Sequence, residues 1–320
     1  MTWLVTGGAG YIGAHVVRAL LAADISVVVL DDFSTGVRSF VPDGVPVVEG
    51  GVTEPAAVAR ALEGVAGVVH LAGFKYAGVS VERPLHTYEQ NVGGMLALLR
   101  GMRDAGVDRI VYSSSAAVYG TPGDEQVTES APTRPESPYG ESKLVGEWLL
   151  RNEARARQGG RPLRHVSLRY FNVVGSGHPD IWDSSPHNLM PLVLTALREG
   201  RTPRIHGDDY PTPDGTCVRD YVHVADVAAA HVAAARALDE GRPLEPVYNP
   251  GSGDGTSVRE IMNAAARVTG IAFEPEIGPR RPGDAARIVA SGALAARDLG
   301  WRNAHSVEEM VASAWAAQPR

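Results

Sequence analysis

Residues 3–13 read Trp-Leu-Val-Thr-Gly-Gly-Ala-Gly-Tyr-Ile-Gly, a short apolar run that ends among four closely spaced glycines. This pattern predicts a buried strand, a tight turn and the start of a helix. Gly7 permits the turn, Gly10 lets the backbone approach a pyrophosphate, and Gly13 allows the helix to pack closely on the strand. The N-terminus of that helix would face phosphates with free N–H groups and a partial positive charge. The segment therefore predicts a dinucleotide-binding site.

An acidic residue stands where such a site would hold the adenosine ribose. Asp31 lies 18 residues beyond Gly13, at the end of the second predicted strand. A carboxylate at that place accepts hydrogen bonds from the ribose hydroxyls. Asp32 follows it directly, and the next arginine is Arg38. Because two carboxylates would repel a 2′-phosphate, we expect NAD rather than NADP as the cofactor.

Predicted strands and helices alternate through the first half of the chain. Continuous apolar runs, which are typical of parallel strands buried on both faces, occupy residues 3–6, 26–30, 46–48, 67–71, 109–113 and 165–169. Apolar residues at helical spacing, or segments of helical composition, predict helices over residues 12–21, 55–62, 91–103 and 139–157. This alternation predicts an α/β fold whose core is a doubly wound parallel Rossmann sheet.

The pattern loosens after Tyr170, and this change indicates a second, smaller α/β domain that binds the substrate at the carboxyl edge of the sheet. Turn residues dominate residues 172–220 around one predicted helix at 189–199. Further on, we predict helices at 224–238 and 258–269 and a short strand at 247–249. The expected domains are residues 1–171 with 221–249 for NAD, and residues 172–220 with 250–320 for the substrate.

Composition excludes several other classes of protein. The 320 residues are 44% hydrophobic and 21% charged, which is ordinary for a globular chain. The net charge is −7 without a long basic tract, so nucleic acid is not an expected partner. The single cysteine, Cys217, excludes a disulfide framework, and the ten histidines lack metal-ligand spacing, so no metal is expected. No run approaches the ~18 apolar residues of a membrane span, and the N-terminus lacks a basic leader, so we expect a cytoplasmic protein.

Three polar residues form the candidate catalytic group. Tyr139 and Lys143 are four residues apart on a predicted helix and therefore share one face, while Ser115 follows the fifth predicted strand. A free phenol has a pKa of ~10, so half-ionisation at pH 7 needs roughly three units, or about 4 kcal/mol of stabilisation. The lysine ammonium and the positive nicotinamide ring can supply it together. We expect Tyr139 to take a proton from a sugar hydroxyl that Ser115 holds.

Several motifs carry a resemblance to a known family. Residues 6–13, 113–120 (Ser-Ser-Ser-Ala-Ala-Val-Tyr-Gly) and 137–143 (Ser-Pro-Tyr-Gly-Glu-Ser-Lys) resemble the extended short-chain dehydrogenase/reductases. The more specific motifs lie in the second half, at residues 169–172, 187–191, 207–223 and 280–284. With them the chain resembles the UDP-sugar 4-epimerases of the NAD-dependent epimerase/dehydratase family, over nearly all of residues 3–301.

The resemblance implies an activity. The enzyme would interconvert UDP-glucose and UDP-galactose by inversion at sugar C4, through a 4-keto intermediate and transient reduction of bound NAD. It would act as a homodimer that pairs through the helices near 91–103 and 139–157. On the substrate, Arg219 and Arg281 would grip the diphosphate and Asp284 the uridine ribose.

The resemblance also completes the candidate site. The expected substrate residues are Ser115, Tyr139, Asn172, Asn188, Leu189, Arg204, Ile205, His206, Arg219, Arg281, Asp284 and Ile288. The expected cofactor residues are Gly7, Gly10, Tyr11, Ile12, Gly13, Asp31, Asp32, Phe33, Ser34, Thr35, Gly36, Gly51, Val52, Leu71, Ala72, Gly73, Lys75, Asn91, Ser115, Tyr139, Lys143 and Phe171.

Three positions bear on which reaction and substrate to expect, and other functions stay open as alternatives. Ala116 and Ala117 stand where related dehydratases and decarboxylases have acids, which counts against a lyase. Ile288 stands where the family borders the sugar C2 substituent, and it is neither the bulky tyrosine that restricts this pocket nor a very small residue, so UDP-N-acetylhexosamines stay open as substrates. A UDP-hexuronate is a separate alternative substrate. Gly51 stands where the family usually has an aspartate against the adenine. A non-catalytic NAD-binding sensor is the other alternative, and the intact catalytic group argues against it.

Overall fold

The computed structural model describes residues 1–123, 126–157, 161–281 and 284–317. Its strands are β1 Thr2–Thr6, β2 Ser26–Asp31, β3 Val47–Glu49, β4 Gly67–His70, β5 Arg109–Ser113, β6 Arg164–Leu168, β7 Asn172–Val174, β8 Arg204–His206, β9 Val218–His223, β10 Val247–Tyr248, β11 Gly255–Ser257, β12 Glu276–Gly278 and β13 Arg287–Ile288. Its helices are α1 Tyr11–Ala22, α2 Pro55–Ala61, α3 Ala77–Glu82, α4 Pro84–Tyr88, α5 Gly94–Asp104, α6 Pro138–Ala156, α7 Leu189–Arg198, α8 Val224–Asp239, α9 Val258–Thr269, α10 Ala293–Leu299 and α11 Val307–Ala317.

The predicted doubly wound sheet is confirmed. Seven parallel strands pair in the order β10-β6-β5-β4-β1-β2-β3. The order reverses between β1 and β4, because the chain builds β1 to β3 outwards on one side before it crosses to β4. In such sheets the ligand crevice lies beyond the carboxyl ends of the strands at this reversal.

Both faces of the sheet are buried, as the unbroken apolar runs predict. In β1, Leu4 faces a core formed with α2, α5 and α6, whereas Trp3 and Val5 face a core formed with α1 and α8. All three side chains are fully buried. The helix α10 also packs on α8, and its Ala295 belongs to the core on that side.

The second half of the chain forms its own small sheets. The strands β7, β9, β11 and β13 form one sheet, and β8 pairs with β12 in another. They pack with α7, α9 and α11 around a separate apolar core. The expectation of turns around a single helix between residues 172 and 220 was therefore wrong for β7, β8 and β9. Two of these strands have three residues, which is too short for a pattern of alternation to show.

Most predicted helices and strands occur within one or two residues of their expected ends. The helix expected at 91–103 differs, because α5 begins at Gly94 and a π-helical turn over Glu89–Gly93 precedes it. None of the helices in the described parts of the chain is long and apolar enough to cross a membrane. Pro282 and Gly283 of the motif at 280–284, and residues 318–320 of the expected second domain, lie outside the described residues.

Candidate active site

A cavity of about 900 Å³ lies at the carboxyl edge of the large sheet, under the small sheets of the second half. The loops after β1, β2, β3, β4 and β5 form its floor. The segments around β7, the start of α7, β8, β9 and β13 form its other side. The cavity is continuous from the glycine turn after β1 to Arg219 and Arg281. One chamber thus has room for two ligands end to end.

The glycine turn fits a pyrophosphate. Gly7 has a φ of +72°, and a Cβ on it would lie 2.8 Å from the backbone nitrogen of Ala72. A Cβ on Gly13 would overlap the carbonyl oxygen of Gly7, so the helix packs against the turn at a distance that only glycine permits. The N-cap of α1 is Gly10, without a side-chain cap and without an acidic residue in the first turn. The N–H groups of that turn are therefore available to an anion.

Asp31 lies beside this turn and is held by backbone donors. Its Oδ2 accepts the N–H of Ala9 at 2.9 Å and its Oδ1 accepts the N–H of Phe33 at 2.9 Å. Burial raises the pKa of Asp31, and the neighbouring Asp32 adds to the rise, while the two backbone hydrogen bonds lower it. A Cβ on Gly36 would come within 2.6 Å of Oδ1, so glycine keeps this oxygen open. The carboxylate can still accept ribose hydroxyls with its remaining lone pairs.

The catalytic candidates meet where α6 crosses the end of β5. Ser137 caps α6 by accepting the N–H of Gly140 at 3.2 Å, which places Tyr139 in the first turn. Lys143 donates from Nζ to the carbonyl oxygen of Ser113 at 2.9 Å and lies 5.8 Å from the centre of the Tyr139 ring. Ser115 lies near Tyr139, and its hydroxyl lowers the pKa of the phenol.

Burial sets the charge states of this group. It lowers the pKa of Lys143 to about 8, because an ammonium is poorly solvated there. It raises the pKa of Tyr139, and the hydrogen bond from Ser115 opposes that rise. The protein alone therefore keeps the phenol protonated at neutral pH. A further cation beside Tyr139 would be needed to make it a base, and the nicotinamide ring of NAD⁺ is such a cation.

Charged side chains collect at the other end of the cavity. Arg219 donates from Nη1 to the carbonyl oxygen of Ala285 at 2.7 Å, and its Nη2 lies 3.4 Å from Oδ1 of Asp284. Asn188 donates to Asp183 at 2.7 Å, which fixes its side chain at the start of α7. Arg204 is exposed and pairs with Glu276 at 2.8 Å. Guanidinium groups in this position suit phosphate oxygens.

The structure brings most of the predicted site residues to this one cavity. The ones that line it are Gly7, Gly10, Tyr11, Ile12, Gly13, Asp31, Asp32, Ser34, Thr35, Gly36, Gly51, Val52, Leu71, Ala72, Gly73, Lys75, Ser115, Tyr139, Lys143, Phe171, Asn172, Asn188, Leu189, Arg204, His206, Arg219, Arg281, Asp284 and Ile288.

Three predicted residues do not line the cavity. Ile205 points into the core of the second half, because alternate residues of β8 face opposite sides. The ring of Phe33 packs against the guanidinium of Arg38, whose Cζ lies 4.2 Å from the ring centre. Asn91 is buried and uses its amide on Phe74 and on Ser142. Its role in this structure is to fix the loop after β4 against α6.

Other lining residues escaped the sequence analysis. Gln90, next to Asn91, lines the cavity from the π-helical turn, and such turns often occur at functional sites. Tyr76 and His187 both line the cavity and pack edge to face, with ring centres 4.9 Å apart. The buried Cys217 lines it as well. No sequence signal places Tyr76 beside His187, since they are 111 residues apart.

A metal plays no part that the described residues indicate. Those residues contain no group of three or more His, Cys, Asp or Glu side chains that could hold an ion. The expectation of a metal-free site thus stays an expectation.

Comparison with known proteins gives consistent similarities. Residues 3–251 match the model of the NAD dependent epimerase/dehydratase family. The chain is 44% identical to the UDP-glucose 4-epimerase of Streptomyces lividans, over 98% of this chain and 94% of that protein. The UDP-glucose 4-epimerase of Bifidobacterium longum, solved with NAD⁺ and UDP, is 36% identical with a TM-score of 0.89, over 99% and 98% of the two chains. That of Brucella ovis, solved with NAD, is 36% identical with a TM-score of 0.92, over 98% and 97%.

Proposed function

Because the chain belongs to the NAD dependent epimerase/dehydratase family, we propose that it interconverts UDP-glucose and UDP-galactose by inverting sugar C4. It is an isomerase that uses NAD. One observation carries this function: the Ser115–Tyr139–Lys143 group, the glycine turn and Arg219 all face one continuous cavity. The reaction needs both ligands in contact, and this cavity gives them one space. When bound, NAD supplies the acceptor and later the donor of the hydride at C4.

The chain's own residues move the proton. Tyr139 takes the proton of the C4 hydroxyl as the base and returns it as the acid, while Ser115 holds that hydroxyl. Lys143 adds a positive charge behind the phenol, 5.8 Å from the ring centre, and so favours its ionised form. Lowering the pKa of a free phenol from ~10 to 7 takes about 4 kcal/mol, and burial of Tyr139 adds to this requirement, which Lys143 shares with the cofactor.

The second half of the chain holds the nucleotide. We propose that Arg219 and Arg281 bind the diphosphate and that Asp284 binds the uridine ribose, beside Arg204 and His206. Inversion requires the 4-keto sugar to turn about its bonds to a diphosphate that does not move. The polar side chains concentrated at that end of the cavity support this division of labour. Residues 1–171 with 221–249 would form the NAD domain, and residues 172–220 with 250–320 the UDP-sugar domain.

The assembly and compartment are also proposals. We propose a homodimer that pairs through the helices near 91–103 and 139–157 and also buries the exposed apolar side chains of Val81, Leu85 and Trp148, on α3, α4 and α6. Leu85 is 83% exposed, and the three helices that carry these side chains contact one another. Sedimentation velocity of wild type and of Leu85→Glu tests this, with monomer expected for the variant only. A cytoplasmic location agrees with the single cysteine, Cys217, which forms no disulfide.

The decisive experiment uses the protein as purified, with no cofactor added. UDP-galactose should be converted to UDP-glucose, and UDP-N-acetylgalactosamine and UDP-glucuronate in parallel reactions test the alternative substrates. Tyr139→Phe should lower kcat by ~10³-fold or more, as expected for loss of the acid–base group, while UDP binding stays near wild type. Failure of the wild type to convert any of the three sugars would overturn the proposed function. Full activity of Tyr139→Phe would overturn the assignment of the base.

A further inference from the structure

Three successive turns of α6 contact three successive residues at the end of β5. Lys143 binds the carbonyl oxygen of Ser113 at 2.9 Å. Ser114 donates its hydroxyl to Oε1 of Glu147 at 2.6 Å. Tyr139 lies near Ser115, the next residue along, whose hydroxyl lowers the pKa of the phenol. Residues 139, 143 and 147 lie on one face of the helix because they are four apart.

Glu147 takes no part in the proton transfer, yet it is deeply buried. Its side chain is 7% exposed, and a carboxylate in such surroundings needs compensation. Arg169 provides it with two hydrogen bonds, from Nε at 2.8 Å and from Nη2 at 2.5 Å. Nη1 of Arg169 donates to the hydroxyl of Tyr119 at 2.8 Å, and that hydroxyl donates to Asn249 at 2.8 Å. Both carboxylate oxygens of Glu147 and all three guanidinium nitrogens of Arg169 thus have a hydrogen-bond partner.

Stability alone does not account for this pair. Buried ion pairs are often no more stabilising than apolar side chains of the same volume, and their best attested role is to fix one arrangement of the parts. Here the parts are α6 and the ends of two neighbouring strands. Arg169 follows β6, while Ser114 follows β5, and the two strands pair along their whole length. The pair therefore fixes the register of the catalytic helix on the sheet.

We propose that Glu147, held by Arg169, is a positioning residue that places Ser115 against Tyr139 by gripping Ser114. Ser115 itself is in extended conformation, and among the described residues its hydroxyl accepts the N–H of Ala117, at 3.2 Å, within its own loop. Apart from Tyr139 itself, the contact of Glu147 with the residue just before Ser115 is therefore the nearest tie from α6. This role rests on the proposed function, since it concerns the same hydroxyl and phenol.

The test uses Ser114→Ala, which removes the hydrogen bond to Glu147 and leaves the ion pair intact. Ser167→Ala is the matched control: Ser167 is equally buried, on the paired strand β6, and its hydroxyl has no partner among the described residues. We expect Ser114→Ala to lower kcat roughly tenfold with an unchanged KM for UDP-galactose and unchanged NAD content. Ser167→Ala should match wild type.

The pH dependence separates positioning from general loss of structure. The groups that face Tyr139 are Lys143 on its own helix, Tyr112 on β5 and Tyr170 after β6. None of them is changed by the variant. Because the hydrogen bond from Ser115 lowers the pKa of Tyr139, its loss should move the acid limb of kcat to higher pH, by up to about one unit.

The outcomes are distinct. An inactive wild type refutes the proposed function and, with it, this inference, whereas the outcomes that follow refute the inference alone. An active wild type with a Ser114→Ala variant that has the same kcat and the same acid limb overturns the inference. A variant that loses thermal stability and activity without any shift of the acid limb also overturns it, because a structural role would do only that. Arg169→Lys keeps the charge but loses the fork, and the acid limb should shift in the same direction by a smaller amount; an unmoved limb would remove Arg169 from the role.

Discussion

The two ends of the cavity are built in different ways. The NAD end is backbone: a glycine turn, the uncapped first turn of α1, and Asp31 held by two N–H groups, all within 36 residues of the start of the chain. The end proposed for UDP is made of side chains carried by short strands, by the start of α7 and by the segment before β13, within residues 172 to 288. Where the backbone forms the site, a substitution adds atoms that collide with it. Where side chains form the site, a substitution removes a single contact. Substitutions at the two ends should therefore fail in different ways.

The largest effect is expected at the NAD end. Gly13→Val would push a side chain into the carbonyl oxygen of Gly7, and neither backbone segment can move without opening the turn. We expect a loss of about 3 kcal/mol or more in the free energy of unfolding, and loss of bound NAD. NAD released by denaturing the purified protein measures the second effect. Gly93→Ala is the control, since nothing lies within 4 Å of a Cβ there. A Gly13→Val protein that keeps its NAD would show that the turn tolerates a side chain at this position.

A graded loss is expected at the UDP end. Arg219→Ala should weaken UDP binding by ~2–3 kcal/mol, the range for a hydrogen bond to a charged group, while NAD content and folding stay near wild type. Arg280→Ala is the matched control, because Arg280 pairs with Asp209 and lies over Tyr210 outside the cavity lining. Calorimetric titration with UDP measures both variants. Equal affinities for wild type and Arg219→Ala would remove Arg219 from the diphosphate site.

Lys143 lies between the two ends, and the burial of its charged ammonium should lower the free energy of unfolding. Its pKa is about 8 in the folded protein because of burial, against ~10.4 in the unfolded chain, so folding is penalised wherever the ammonium is charged. The penalty is complete below pH 8, shrinks between pH 8 and about 10.4, and vanishes above that. Lys143→Met should be inactive yet more stable at pH 7, by on the order of 2 kcal/mol after loss of the bond to Ser113.

Urea unfolding of wild type and Lys143→Met at pH 7 and at pH 10.5 measures this difference. The gain should be present at pH 7 and absent at pH 10.5. A variant that is less stable than wild type at pH 7 would show that the hydrogen bond to Ser113 outweighs the cost of burying the charge.

The smallest effect is expected at the start of α9, which has a side-chain cap, unlike the start of α1. α9 begins with a capping box, in which Ser257 accepts the N–H of Glu260 at 3.0 Å and Glu260 accepts the N–H of Ser257 at 2.6 Å. α1 begins with Gly10 and no such cap. Ser257→Ala should cost ~1 kcal/mol of stability and leave both ligand affinities unchanged. Thermal unfolding and UDP titration check this. A fall in UDP affinity would mean that α9 shapes the site.

Features built from neighbouring residues could be predicted from the sequence, whereas features built from distant residues could not. The turn at 7–13, Asp31 and the Tyr139–Lys143 pair are local patterns, and each lies where its spacing predicts. The small sheets are not local: β8 pairs with β12 across more than 70 residues, and each has three residues. No period can appear in so short a strand. Only resemblance, not periodicity, gave Arg219 and Asp284.

Side-chain choice within a correct element was the other limit. The sequence placed Asn91 near the cofactor, and the structure turns its amide to the backbone of Phe74 while Gln90 lines the cavity. A π-helical turn shifts the facing of residues relative to an α-helix, and its presence is decided by packing. Tyr76 likewise meets His187 only because two distant loops converge.

The contact between Tyr76 and His187 has a mechanical consequence. Their ring centres are 4.9 Å apart and Phe74 lies 5.5 Å from Tyr76, so the loop after β4 and the segment before α7 share one aromatic cluster in the cavity lining. A displacement of either segment would separate these rings. The two halves of the chain are therefore coupled at this wall of the cavity.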